Sequence, residues 1–127
     1  MQLSERDNNI LSWLDEKAVT NIDFIDISSI TADMDKFVIG TAPNDRICRA
    51  AADHIEEKCK EFGYEIRGKE GYKSGRWILI DLTDLVIHIF VKEERETYSL
   101  EKLWADGVLL RPDDELSADQ DKKNETL

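Results

Sequence analysis

Residues 75–90, GRWILIDLTDLVIHIF, hold two apolar, β-branched runs that meet at Thr83-Asp84. A connection that short admits no crossover helix, so the two runs form an antiparallel hairpin. Side chains alternate along a strand, so one parity of the first run presents Ile78, Ile80 and Leu82, and the other Trp77, Leu79 and Asp81. The first set reads as core. The second mixes a large ring with a carboxylate, which suits a face that is wet in the free protein and covered when a partner arrives.

The rest of the chain supplies the elements that the hairpin needs. Residues 4–17 read as an amphipathic helix with Leu3, Ile10, Leu11, Trp13 and Leu14 on its apolar side and Ser4 as N-cap. Strands are expected over 22–27, weakened by Asp23 and Asp26, and over 36–41. Pro43-Asn44 ends the second strand, and Asn44 caps the longest helix. In that helix Cys48, Ala51, Ala52, Ile55, Cys59 and Phe62 recur at helical spacing, and Gly63 follows as the C-cap. Its opposite side, with Arg49, Asp53, Glu56, Glu57 and Lys60, reads as a solvated face.

Residues 64–67 are expected to form a short third strand, and residues 68–75, with three glycines, a flexible loop. After the hairpin come a charged helical turn over 92–97 and a last helix capped by Ser99, carrying Leu100, Leu103 and Trp104 and ended by Asp106-Gly107. Helix, two strands, helix and three strands give a single-domain α/β sandwich with a mixed sheet of about five strands. Residues 1–108 read as the domain and 109–127 as an acidic tail expected to be disordered.

With 127 residues, 41% of them hydrophobic, there is room for one domain with a modest core. No apolar run approaches the roughly 20 residues of a membrane span. The first residues lack a basic and then apolar leader pattern, so the expected location is the cytoplasm. The net charge is −11, of which the segment from Pro112 to Leu127 contributes −4, so the domain is acidic as well as the tail. That balance argues against a grip on nucleic-acid phosphates and for a basic protein as partner. Cys48 and Cys59, about three helical turns apart, share a face but are too distant to bridge, and no Cys-x-x-Cys pair points to zinc.

Several of these segments also carry a family likeness. Gly75-Arg76-Trp77, the Asp-bearing turn, His88-Ile89-Phe90 and Tyr98-Ser99-Leu100-Glu101-Lys102-Leu103-Trp104 resemble the core pattern of the Iojap family of ribosomal silencing factors. Upstream, Asp35-Lys36-Phe37-Val38-Ile39-Gly40-Thr41, Asn44-Asp45-Arg46, Ala52-Asp53 and Glu70-Gly71 fit the same pattern in order. The chain departs from it at Lys36, where an aromatic is usual, at Thr83, where a turn glycine is usual, and at Thr31-Ala32, where two serines are common.

The resemblance implies a nucleotidyltransferase-like fold without a catalytic step, metal or other cofactor. It implies a protein that binds the large ribosomal subunit through its fourteenth ribosomal protein, sterically blocks joining of the two subunits and represses translation when nutrients are scarce. Direct contact with nucleic acid would be slight, and whether the free protein forms a homodimer is left open. Trp77 and Tyr98 are the candidate anchors for the partner, with Glu70, Asp81, Asp84 and Arg95 as a polar rim and His88 shaping the surface between Val86 and Phe90. Each of these also fits an ordinary core or solvated role. The competing reading is a metal-dependent nucleotidyltransferase using Asp33 and Asp35, although no Gly-Ser phosphate-binding turn precedes that pair.

Overall fold

The computed structural model describes residues 3–26 and 36–98. Within them the chain forms α1 (Glu5–Glu16), β1 (Thr20–Asp26), β2 (Lys36–Ala42), α2 (Asp45–Phe62), β3 (Gly68–Glu70), β4 (Trp77–Asp81), β5 (Leu85–Val91) and α3 (Lys92–Tyr98). The strands make one sheet in the order β1-β2-β5-β4-β3. Only the central β2–β5 pair is parallel, as a crossover through α2 permits, and the other three pairs are antiparallel. The mixed five-stranded α/β architecture is thus the one the element order predicts.

Local chemistry sets the helix ends. Ser4 Oγ accepts from the Asp7 amide at 3.1 Å, and Asn44 Oδ1 accepts from the Ile47 amide at 2.8 Å, so each long helix has a side-chain N-cap. Gly63, at φ 76°, turns the chain out of α2 while the Tyr64 amide donates back to the Cys59 carbonyl at 2.8 Å. Gly40 answers to close approach instead: a Cβ there would lie 2.4 Å from Val19 Cγ1.

Both faces of the three central strands, β2, β5 and β4, are buried. On the first, Val38, Ala42, Ile78, Ile80, Leu85, Ile87 and Ile89 meet Ile10, Trp13 and Leu14 of α1 and Cys48, Ala51, Ala52, Ile55 and Cys59 of α2. Small residues on α2 let it lie close to the strands. On the second, Phe37, Ile39, Trp77, Leu79, Val86 and Phe90 form a separate cluster with Ile25 against it. Strands buried on both faces read as continuous apolar runs, which is why β4 and β5 carry so little alternation.

Two expectations are corrected here. The third strand is Gly68–Glu70 and not 64–67, because pairing with β4 defines it, whereas Tyr64 and Ile66 pack on the core from an irregular segment. Phe62, expected on the buried side of α2, is 51% exposed at the last position of that helix. The expected last helix, the tail, Asp33, Asp35 and Trp104 lie outside the described residues.

Candidate functional site

The second face of the sheet gathers most of the candidate residues. Register places Ile39 and Leu79 on either side of His88, and Thr41 and Trp77 on either side of Phe90. Trp77 Nε1 donates to His88 Nδ1 at 2.9 Å. An accepting Nδ1 assigns the proton of the neutral imidazole to Nε2. The Trp77 ring stacks on Phe90 at 4.8 Å, and Phe37 meets His88 edge-on at 5.8 Å. A polar pair is thereby satisfied inside an apolar cluster, as burial requires.

Trp77 is 4% exposed and His88 3%. The expectation of a wet face is therefore corrected: this parity is as dry as the other. Alternation had signalled one polar residue, Asp81, and that carboxylate is 2% exposed as well. Its Oδ2 accepts from Arg67 Nε at 3.2 Å and Nη2 at 2.8 Å, and its Oδ1 accepts from the Thr83 amide at 2.8 Å. Asp81 thus braces the hairpin turn, where Thr83 sits at φ 79° in place of a glycine.

Asp84 belongs to an ionic cluster at the opposite side of that turn. Arg6 of α1 donates to both its oxygens at 2.9 Å and also to Asp7, while Lys36 reaches Asp7 Oδ2 at 2.7 Å. The hydrogen bonds from Arg6 hold the Asp84 carboxyl below its ordinary pKa. For Asp7 burial pushes upward, yet the bonds from Lys36 and then Arg6 outweigh it, and that carboxyl too is held low. The cluster ties α1, β2 and the hairpin turn together.

Arg95 of α3 reaches across the sheet end. Its guanidinium donates to Asp23 at 2.5 Å, to Thr41 Oγ1 at 2.9 Å and to the Asn21 carbonyl. These residues line an open cavity of about 470 Å³ with Ile22, Lys92 and Glu96. Glu70 is half-buried on β3 opposite Leu79. Tyr98 is the last residue of α3, and its side chain lies outside the description.

The structure therefore brings Trp77, His88 and Asp81 to one face, seats Arg95 at the end of that face, and draws Asp84 toward α1. It also shows residues that the sequence reading passed over. Arg49, assigned to a solvated helix face, donates to the carbonyls of Tyr72, Lys73 and Ser74 at 3.0–3.1 Å and holds the 71–75 loop shut. Its signal was the pair Gly71 and Gly75, both at positive φ, which mark a compact loop in need of a donor for its carbonyls. Among the described residues no group of three or more His, Cys, Asp or Glu side chains is placed to hold a metal ion. The two thiols are buried, and burial pushes Cys48 up to about 12 and Cys59 up to about 11, which leaves both protonated.

Residues 2–126 match the family model described as "Ribosomal silencing factor during starvation". A ribosomal silencing factor of Bacillus subtilis is 38% identical over 75% of this chain and 80% of its own. A crystal structure from Chromobacterium violaceum superposes with a TM-score of 0.77 at 30% identity, covering 87% of this chain and 91% of that one. A second, from Bacillus halodurans, gives 0.70 at 35% identity over 76% and 90%.

The chain belongs to the ribosomal silencing factor family. That family is regulatory, and its name carries association with the ribosome and control of translation. For a silencing factor, central strands buried on both faces and cross-braced by ion pairs offer a rigid body whose shape is set before any partner arrives. Among the described residues, no helix is long and apolar enough to cross a membrane.

Proposed function

We propose that this silencing factor works in the cytoplasm, docks on the fourteenth protein of the large ribosomal subunit and stands in the way of the small subunit, repressing translation when nutrients are scarce. The mechanism is steric occlusion and needs no chemical step, metal or cofactor. Family membership carries the reading. Charge supports it: a net of −11 is attracted to a basic ribosomal protein and repelled by the surrounding phosphate, so electrostatics contributes selectivity and encounter rate.

The proposed contact runs along the second face of the sheet, from α3 at one end of β5 to the hairpin turn at the other. Tyr98 is the anchor, Glu70, Asp84 and Arg95 form the rim, and Asp81, Trp77 and His88 set the shape from beneath, since all three are buried. Tyr98→Ala should cost on the order of 2 kcal/mol in affinity, about 30-fold, for the purified ribosomal protein. Wild-type affinity in a folded Tyr98→Ala variant would remove the anchor from the account. The nucleotidyltransferase alternative is checked by calorimetry with magnesium and nucleotides, where saturable binding abolished by Asp35→Asn would favour an enzyme.

A further inference from the structure

One stretch of this acidic chain is rich in cations. Between Arg67 and Arg76 lie four basic residues, Arg67, Lys69, Lys73 and Arg76, against the single acid Glu70, in a chain that is otherwise strongly negative. This stretch contains β3, the last strand of the sheet, and the loop that leads into β4.

Two ion pairs here turn the cation to water, while Lys69 is held by Glu56 of α2. Arg67 is 60% exposed over an Asp81 side chain that is 3% exposed, and Arg76 is 58% exposed over Glu94 at 19%. Among the ion pairs within the described residues, no other cation is more than half exposed. Elsewhere the acid commonly faces water, as in Asp23 at 56% against Arg95 at 16%, or Asp45 at 55% against Arg49 at 31%. Lys73, between the two arginines, is exposed and forms no ion pair among the described residues. Its loop is rigid, because Arg49 gathers three of its carbonyls and the Gly75 amide donates to Gly71 at 3.1 Å.

Arg67 pairs with Asp81 at one end of β4, and Arg76 precedes the other end. Five residues of strand separate them, about 17 Å. Two exposed guanidinium groups and an ammonium spread over such a length match a run of phosphates better than any single carboxylate. Beyond a Debye length of about 8–10 Å, the acidity of the remaining surface is screened and does not prevent local contact.

We propose that the Arg67–Arg76 edge is a second contact surface, taking the phosphate backbone of ribosomal RNA beside the docked ribosomal protein. It rests on the ribosome-binding reading above.

The test uses the full chain and measures affinity for isolated large subunits across a salt series, alongside affinity for the purified fourteenth protein. Lys73→Glu should weaken subunit binding several-fold and reduce the slope of log affinity against log salt by about 1, with the isolated protein bound as before. Lys73→Arg should keep the wild-type slope. An unchanged slope and affinity in Lys73→Glu overturns this inference alone. Equal weakening toward the isolated protein also overturns it, by placing the loop against protein. A wild-type chain that binds neither subunits nor the protein overturns the functional reading and this inference with it.

Discussion

Trp77 lies at the junction of Phe90 and His88, stacked on one and hydrogen-bonded to the other, with 4% of its surface exposed. Trp77→Ala should therefore cost about 3–5 kcal/mol of folding stability, read from denaturant midpoints. His88→Leu keeps most of the volume but takes the acceptor from a buried indole N–H, and should cost about 1–3 kcal/mol in the same measurement. If both variants were near neutral, the ring pair would not be the structural unit described here. The thiols give a second check. Held protonated and buried, Cys48 and Cys59 should react with a thiol reagent only at the rate of unfolding, and rapid labelling of the native protein would contradict their placement.

At the scale of elements, ion pairs join what apolar contacts leave loose. α3 carries Lys92, Glu93, Glu94, Arg95 and Glu96 in its first five positions, and its hold on β1 and β2 runs through Arg95. Arg95→Ala should loosen α3 by about 1 kcal/mol, seen as several-fold faster amide exchange over residues 92–97 with little change in α2. The cluster of Arg6, Asp7, Lys36 and Asp84 ties α1 to the hairpin turn and gives a pH signature. Both carboxyls sit below the ordinary 3.8, so the folded state binds their protons less readily than the unfolded chain. Their stabilisation is present above about pH 4 and is lost as pH falls through the folded values. Asp84→Asn should flatten that acid limb of stability against pH, and an unchanged limb would rule the cluster out as its source. Element boundaries show what a sequence does and does not disclose. The helix caps at Ser4, Asn44 and Gly63 were legible because a capping residue acts within its own turn. β3 was not, since Gly68, Lys69 and Glu70 become a strand only by pairing with β4.

For the whole molecule, pattern and composition reached the element order, the mixed sheet and the core parity of Ile78, Ile80 and Leu82. They did not reach the dryness of the second face. Trp77, Leu79 and Asp81 look amphipathic in a line of text, and only the third dimension supplies the Arg67 fork and the His88 acceptor that let Asp81 and Trp77 be buried. The distribution of charge belongs to this scale too: a net of −11 carries, on the β3–β4 edge, two arginines that face water over less exposed acids. The central claim is that this body keeps the two ribosomal subunits apart, and the most direct measurement is light scattering of purified subunits mixed at low ionic strength with rising amounts of the protein. If it does, the joined fraction falls as the protein saturates the large subunits. Binding that leaves joining unchanged, or no binding, would contradict it.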